Sequence, residues 1–237
     1  MLTAVRSVAK RIFPNSVWNA LRLLKDIARS KATGVPRVPL GTDLVGYEKL
    51  IRMIRAHDVL RAEGDFVEVG TFLGGGAFKL AKFLEKEAPG RKVHVLDVFD
   101  PTFDWTRNTE GKAMVEIYET FLHCNYRGKT QWQVFQEVTR NCANINVIKG
   151  DSKLAEIPSD HLSFGFIDGN HDPEYVESDF YLIWNKLSPA GAVAFHDYEW
   201  DLPQTTARIK ALTVRHAAQI CTTEFDPDGH ILFVVRK

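Results

Sequence analysis

Short apolar runs alternate with stretches whose apolar residues recur every three or four positions, from about residue 44 to the end of the chain. Compact apolar runs bounded by glycine, proline or charged residues are typical of strands buried on both faces. The three-to-four repeat is typical of helices that pack one face on a sheet. The alternation therefore predicts an α/β protein, with an open parallel sheet covered by helices.

The strongest of these signals is a strand, a glycine turn and a helix near residue 70. Phe66 to Val69 form the apolar run, and Gly70 with Gly74 to Gly76 turns the chain into a helix at 77–86. In an open α/β sheet such a turn brings backbone N–H groups against a ligand. Further strands are predicted at 92–98, 144–149, 161–166 and 192–195, and further helices at 44–56 and 173–187.

The end of the chain predicts a hairpin. Two β-like runs flank the turn-forming sequence Asp-Pro-Asp-Gly at 226–229. Together with the preceding strands, this hairpin predicts a doubly wound sheet of seven strands whose last strand is antiparallel.

Two segments fall outside the regular alternation. Residues 1–42 are predicted to form a basic, amphipathic helical extension with a linker, and residues 43–237 form the main domain. Residues 99–143 are rich in aromatic side chains and predict an insertion of one or two helices over the pocket. Three interpretations of the extension stay open: a helix on a membrane surface, a lid or homo-oligomer contact, and a solvated helix packed on the domain.

Composition and charge bound the class of protein. The 237 residues are 45% hydrophobic and 25% charged, which suits one α/β domain with a modest extension. Residues 1–40 hold eight Lys or Arg and one Asp, so the rest of the chain is mildly acidic. A mildly acidic domain argues against nucleic acid as the main partner.

The cysteine pattern and the lack of long apolar runs bear on location. Cys124, Cys142 and Cys221 are widely spaced without a CxxC pair, which argues against disulfides and a zinc knuckle. No run of about 18 apolar residues is present to span a bilayer, and the first residues lack the apolar core of a signal peptide. We therefore expect a retained N-terminus and a cytoplasmic protein.

The glycine spacing indicates which cofactor the turn binds. A dinucleotide fingerprint reads G-x-G-x-x-G, whereas here Glu68, Gly70 and Gly74 form E-x-G-x-x-x-G. This pattern resembles motif I of the class I S-adenosylmethionine-dependent methyltransferases and disfavours a nicotinamide dehydrogenase. The resemblance implies that Glu68, Gly70, Thr71 and Gly74 bind the cofactor. Glu68 would attract the ammonium group, and Gly74 would leave no Cβ in the way of the methionine part.

Three further residues are expected on the cofactor. Asp97 ends the second predicted strand about 20 residues after the glycine turn, where a carboxylate can accept hydrogen bonds from both ribose hydroxyls. A cap for the next loop is the alternative role of Asp97. Asp151 and Ser152 follow the third predicted strand. The resemblance places them at the adenine edge. A second interpretation, a helix N-cap at Asp151 or Ser152, stays open.

Two acid-bearing segments narrow the resemblance. Asp168 closes the fourth predicted strand in IDGNH, and His196 and Asp197 close the fifth in HDY, so both segments lie at the carboxyl edge of the sheet. Over about residues 45–237 the chain resembles the Rossmann-like branch of class I methyltransferases that includes the macrocin-type sugar O-methyltransferases. Some relatives in that branch, and the more distant catechol O-methyltransferases, hold a divalent metal with acids at the ends of strands four and five, and the matching positions here are Asp168, His196 and Asp197.

A metal makes chemical sense because a sugar hydroxyl hardly ionises near neutral pH, and coordination to a dication lowers its pKa by several units. Asp168 and Asp197 offer hard oxygen ligands that suit magnesium. His196 stands where the related families usually place a carboxylate, and an imidazole shifts the preference toward manganese, iron or zinc. The identity of the metal stays open between magnesium, manganese and these others.

The catalytic residues predicted from this pattern are His171 and Asp168. His171 lies three residues after Asp168, where catechol-type relatives carry a lysine base, and an imidazole with a pKa near 6.5 can accept the hydroxyl proton. A loop histidine bonded to Asp168 or Asp197 is the alternative. The predicted function is S-adenosylmethionine-dependent O-methylation of a hydroxyl on a small molecule or sugar-containing natural product.

Three other functions stay open. A metal-independent methyltransferase would use His171 or His196 purely as a base. An iron-dependent oxygenase would need two histidines and one carboxylate, which His171, His196 and Asp168 supply. A non-catalytic scaffold would keep the glycine turn without needing Asp168 or Asp197.

Overall fold

The computed structural model describes residues 23–24, 27–39 and 41–237 and divides the chain into two units, Met1–Arg37 and Val38–Lys237. In the first unit, residues 27–33 are helical, and the Ser30 hydroxyl donates to the Val35 carbonyl at 2.7 Å. Most of the predicted amphipathic helical extension lies outside the described residues. Its membrane or oligomer role stays a prediction.

In the part of the chain that the structure describes, one sheet carries seven strands in the order β3-β2-β1-β4-β5-β7-β6. The first five strands pair in parallel, and β7 lies antiparallel between β5 and β6. The predicted seven-stranded sheet with an antiparallel last strand is confirmed. The bounds are β1 Asp65–Val69, β2 Val93–Asp97, β3 Ile145–Lys149, β4 Leu162–Ile167, β5 Leu187–Phe195, β6 Ile220–Asp226 and β7 Ile231–Arg236.

Six helices flank this sheet within the described domain. A capping box between Thr130 and Gln133 starts one of them, and Asp172 accepts a hydrogen bond from the Glu174 amide at the start of another. The bounds are α1 Glu48–Ala56, α2 Gly75–Glu87, α3 Met114–Asn125, α4 Gln131–Thr139, α5 Pro173–Trp184 and α6 Pro203–Arg215. None of the described helices is both long and apolar enough to cross a membrane.

The predicted insertion at 99–143 contains the two helices α3 and α4, as expected. The predicted helix at 173–187 is shorter, because the chain leaves α5 at Trp184 and enters β5 at Leu187. Leu187 already pairs with Leu162 of β4, so the segment with Pro189 belongs to an irregular start of the strand. The sheet pairing overrides the apolar spacing that extended the helix.

The strands alternate their side chains between two buried layers. On one face, Phe66 packs against Phe164 of β4 and against Phe83 of α2. On the other face, Val193 and Phe195 join a core cluster with residues of α5 and α6. With both faces covered by helices, the sheet leaves its strand ends as the place for a site.

Candidate active site

The strand order reverses between β1 and β4, and their carboxyl ends open at one edge of the sheet. Backbone hydrogen bonds hold the chain together just beyond this edge. The Gly70 amide donates to the Leu96 carbonyl at 2.9 Å, and the Asp168 amide donates to the Val69 carbonyl at 2.8 Å. The His196 amide donates to the Ile167 carbonyl at 3.0 Å. The ends of four strands therefore place the predicted site residues side by side.

Position 70 requires glycine because the turn comes very close to the backbone at the end of β4. Its φ is +82°, and a Cβ there would overlap the carbonyl of Asp168. Helix packing requires glycine at position 74, because a Cβ there would lie 2.6 Å from the Phe135 ring of α4. This glycine therefore lets α4 pack against the turn, and its proximity to a bound methionine group stays a prediction.

Asp97 binds the glycine turn itself. Its carboxylate accepts hydrogen bonds from the backbone amides of Thr71 at 2.8 Å, Phe72 at 3.2 Å and Phe99 at 2.6 Å. The Gln131 amide nitrogen lies 3.3 Å from the same group. Burial raises the pKa of Asp97, and these amides oppose the rise. Asp97 was expected to face ribose hydroxyls; it does line the cleft, but it also fixes the turn through Thr71.

A cleft runs along this edge between the strand ends and the insertion. Four of the predicted site residues line it, namely Gly70, Asp97, Ser152 and Asp168. Phe103 and Tyr118 of the insertion line the opposite side. The cleft is the natural place for the cofactor, because it follows the strand ends at the switch point of the sheet.

Glu68 does not reach this cleft. It is fully buried beneath the turn, where it accepts a hydrogen bond from the Tyr47 hydroxyl. Burial raises the pKa of Glu68 to about 8, against the lowering effect of its hydrogen bonds. Glu68 therefore does not line the cleft, and its attraction of an ammonium group, directly or through water, stays a prediction.

Asp151 likewise lies outside the residues that line the cleft. Its carboxylate accepts hydrogen bonds from the Tyr175 hydroxyl at 3.1 Å and from the Lys153 amide at 2.9 Å. Residues 152–154 form a turn and no described helix begins at Asp151 or Ser152, so the N-cap interpretation is wrong, and the adenine contact stays a prediction. Its neighbour Ser152 does line the cleft.

Asp168, His196 and Asp197 come together at the end of the cleft. The His196 Nδ1 atom lies 3.0 Å from Asp168 Oδ1 and 3.1 Å from Asp197 Oδ2. Burial opposes protonation of His196, but the two carboxylates raise its pKa to about 10. The predicted metal-binding residues thus lie within direct contact of one another.

His171 sits in a different environment from the one predicted. Its Nδ1 atom lies 2.5 Å from Asp104 of the insertion, and its Nε2 atom lies 2.6 Å from Asp197. The residue is 3% exposed, and the Thr205 hydroxyl holds its carbonyl at 2.7 Å. Although burial opposes it, the two carboxylates hold the pKa of His171 well above its ordinary value.

This arrangement does not suit His171 for the role of general base, because both ring nitrogens are engaged and the ring is buried. The alternative interpretation, a histidine bonded to Asp197, describes its position. Asp104 is the partner that sequence reasoning missed. Nothing in the sequence around Asp104 links it to a histidine 67 residues later.

The cluster has the composition of a cation site. Within the described ranges, Asp168, His171 and Asp197 each offer one ligand atom, and these atoms lie within 4.8 Å of one another. The His196 Nδ1 atom is buried between the same two carboxylates, 3.0 Å from Asp168 and 3.1 Å from Asp197. Carboxylate oxygens suit magnesium or manganese, and an imidazole nitrogen shifts the preference toward manganese, iron or zinc. The donor set therefore fits a divalent cation.

A larger cavity of about 400 Å³ adjoins the cleft. Gly70, Phe72, Tyr118 and Asp168 line both spaces. The rest of the wall comes from the segment before α1, the start of α3, the loop after β5 and the turn between β6 and β7. This cavity has the size and position for a second small molecule beside the cleft.

Asp179 of α5 is a buried carboxyl beneath the cleft, and a Cβ on Gly169 would lie 3.5 Å from it. Burial raises the pKa of Asp179 to about 7, and the Ser152 hydroxyl opposes the rise only in part. A carboxyl whose pKa is raised by folding binds its proton more tightly in the folded state. The protonated Asp179 carboxyl therefore stabilises the folded state fully below pH 4, and this stabilisation is lost as the pH rises toward 7.

We expect Asp179→Asn to become more stable than the wild type as the pH rises. Each unit of pKa shift corresponds to about 1.4 kcal/mol, so the free energy of unfolding of the variant should gain a few kcal/mol between pH 4.5 and pH 8 relative to wild type. Urea unfolding at the two pH values measures this gain. Asp172→Asn, at an exposed helix cap, is the matched Asp-to-Asn control. Equal pH slopes for wild type and Asp179→Asn would contradict the prediction.

Comparison with known proteins supports this picture. A family model described as a methyltransferase domain matches residues 67–198, more than half of the chain. The structure is similar to that of the O-methyltransferase NovP, with a TM-score of 0.61, 17% identity, and coverage of 83% of this chain and 82% of that one. It is also similar to the calicheamicin methyltransferase CalS11, with a TM-score of 0.53, 14% identity, and coverage of 89% and 90%. No curated protein matches the sequence significantly.

Proposed function

The chain belongs to the methyltransferase-domain family, and on that premise we propose that it transfers the methyl group of S-adenosylmethionine to a hydroxyl oxygen of a small molecule. The prediction of a methyltransferase enzyme is confirmed by the family match, which also disfavours a scaffold. The hydroxyl acceptor and the divalent cation are the proposal. NovP and CalS11, which share the fold, are an O-methyltransferase and a methyltransferase.

One observation carries the proposal: Asp168 lines both the cleft and the adjoining cavity. A donor in the cleft and an acceptor in the cavity would meet beside its carboxylate. The enzyme then needs mainly to align the two molecules, because methyl transfer from a sulfonium requires an oxygen nucleophile placed in line with the leaving sulfur.

The protein's own residues give this alignment. Asp97 holds the amides of the glycine turn, so the cleft is shaped before the cofactor binds. Tyr118 and Phe72 pack with ring centroids 5.2 Å apart and line both spaces. This aromatic pair would separate bulk water from the methyl group, and S-adenosylmethionine supplies that group as an electrophilic sulfonium.

Asp168, Asp197 and the Nδ1 atom of His196 are the groups that would hold the cation. When bound, a divalent cation lowers the pKa of a hydroxyl and so supplies the oxygen nucleophile near neutral pH. His171 acts here through Asp197, because its Nε2 atom lies 2.6 Å from that carboxylate. Asp104 holds the other side of the His171 ring at 2.5 Å, so the insertion takes part in positioning Asp197.

The iron-dependent oxygenase is less well supported. It would need His171 and His196 with one carboxylate, and both nitrogens of His171 are already bonded to Asp104 and Asp197. The metal-independent methyltransferase remains the competing candidate. His196 is placed for it in one respect, because its ring lines the cavity, but the two carboxylates that raise its pKa to about 10 oppose its use as a base near neutral pH.

Chelation separates the two methyltransferase mechanisms. We expect EDTA to lower the rate of methyl transfer to a hydroxyl acceptor by about 10²-fold or more, since an unaided sugar hydroxyl hardly ionises at pH 7. Adding magnesium or manganese in excess of the chelator should restore the rate. The measurement is release of S-adenosylhomocysteine under saturating S-adenosylmethionine. An unchanged rate after exhaustive chelation would instead support the metal-independent reaction.

A further inference from the structure

We propose that the acceptor is an amino sugar or a similar polyhydroxy amine, positively charged and without phosphate. This inference rests on the proposed function and specifies the substrate class of its acceptor cavity. It derives from the charge of the cavity wall and from an aromatic platform at its mouth.

The cavity wall is acidic. Besides Asp168 and Asp197, the carboxylates of Asp43, Asp201 and Asp228 line it. Of the described residues that form this wall, none is lysine or arginine, and the Nδ1 atom of His196 already faces Asp168 and Asp197 at 3.0 and 3.1 Å. A cavity lined by one sign of charge raises the local concentration of ligands with the opposite charge.

Two of these carboxylates lack a compensating cation. Asp43 forms a 2.6 Å ion pair with Lys79, so its charge is neutralised within the fold. Asp201 accepts a hydrogen bond only from the neutral Asn108 amide, at 3.2 Å, and forms no ion pair with any described residue. Asp228 is exposed and likewise forms no ion pair in the described ranges. Asp201 and Asp228 are therefore available to a cationic ligand.

Trp200 supplies the platform at the mouth of the cavity. Its side chain is 54% exposed, although tryptophan usually buries its large apolar surface. His230 stacks on it with ring centroids 5.0 Å apart and an angle of 10°. The stacked pair holds the indole in one orientation. The exposed part of an indole attracts an ammonium group through its π system and packs against the apolar face of a sugar ring.

The same wall discriminates against other acceptors. A phosphorylated or nucleotide-linked sugar would bring negative charge beside Asp201 and Asp228, with no lysine or arginine of the wall to pair it. Such like-charge contacts lower affinity and are a common source of specificity. A neutral sugar would keep the stacking on Trp200 but would gain no ion pair.

The test compares three matched methyl glycosides, those of glucosamine, N-acetylglucosamine and glucose 6-phosphate. Their binding to the full-length protein is followed by ligand-observed NMR titration, with and without saturating S-adenosylhomocysteine. We expect the glucosamine glycoside to bind about tenfold more tightly than the N-acetyl form, and the phosphate to show no binding. Added salt should weaken the glucosamine complex selectively, because ions screen exposed charges.

Variants assign the effect to the named residues. Asp201→Asn combined with Asp228→Asn should remove the preference for the amine while the neutral glycoside binds as before. Trp200→Leu should weaken all glycosides. Asp160→Asn is the matched control, because Asp160 is exposed and precedes β4 at the opposite edge of the sheet.

Tighter binding of the phosphate, equal binding of all three glycosides or no glycoside binding would each overturn the inference. S-adenosylhomocysteine binding, measured in the same samples, reports on the proposed function separately. A protein that binds S-adenosylhomocysteine but prefers the phosphate would keep the methyltransferase proposal and lose this acceptor class. A protein that prefers the amine without binding S-adenosylhomocysteine would keep the cationic sugar as the ligand of this cavity and lose the methyltransferase proposal.

Discussion

Replacing Asp168 by asparagine is expected to lower the rate of methyl transfer by about 10³-fold. Losses of this size are typical when a group that transfers a proton or binds a catalytic metal ion is removed. Asparagine has nearly the same shape, so the fold should survive. It lacks the negative charge that faces His196 at 3.0 Å and that would hold the cation. The affinity for S-adenosylhomocysteine should change much less than the rate.

The control for this variant is Asp172→Asn. Asp172 lies four residues from Asp168 in the same loop, but it caps α5 by accepting a hydrogen bond from the Glu174 amide. Asparagine is an equally good cap, so both stability and rate should stay near wild type. A rate for Asp168→Asn within tenfold of wild type, with normal metal dependence, would show that Asp168 is not a ligand.

Gly70→Ala should be the most disruptive substitution in the glycine turn. At φ +82° an alanine already costs about 1 kcal/mol. Its Cβ would also overlap the carbonyl of Asp168, so the end of β4 has to move. We expect a loss of about 3 kcal/mol or more, seen as a fall of about 10 °C in Tm or as failure to fold. Any folded variant should bind S-adenosylhomocysteine poorly.

Gly128 offers a matched control because its φ is +79° and a Cβ there would meet no atom within 4 Å. Gly128→Ala should therefore lose only the backbone cost of about 1 kcal/mol, or about 3 °C in Tm. Thermal unfolding of both variants isolates the steric contribution at the turn. Equal shifts in Tm for the two would contradict the close approach between Gly70 and Asp168.

The strands and their common edge could be predicted because their signals are local. Apolar runs followed by acids placed Asp97, Asp168 and Asp197 at strand ends, and parallel strands bring such ends together. The convergence of Asp168, His196 and Asp197 follows from the same rule. Their distances could be anticipated because β4 and β5 are neighbours.

Other features depend on contacts between distant parts of the chain. The role of Gly74 comes from Phe135 in a later helix, and the burial of Glu68 comes from Tyr47 in an earlier segment. The partner of His171 lies in the insertion, at Asp104. A sequence motif specifies which residue types occur near a turn. It does not specify which neighbour fills the space beside each of them.

The site residues that the sequence pattern does not predict come from segments without a regular repeat. Residues 99–143 have no regular spacing that predicts how they fold back on the sheet, yet they supply Asp104 and Tyr118 to the site. In the loop after β5, the sequence pattern predicts site residues only at His196 and Asp197. Three residues later the same loop places Trp200 at the cavity. Loops that carry specificity have weak sequence signals because no repeating apolar face constrains them.

Calorimetric titration of S-adenosylhomocysteine into the purified protein tests the central claim most directly. We predict micromolar binding to wild type and to Asp160→Ala, whose substitution lies at the opposite edge of the sheet. Asp97→Ala should bind at least about 100-fold more weakly, because it loses the carboxylate that holds the amides of Thr71 and Phe72. The absence of binding to wild type, with magnesium or manganese present and after chelation, would contradict the assignment of the cleft to S-adenosylmethionine.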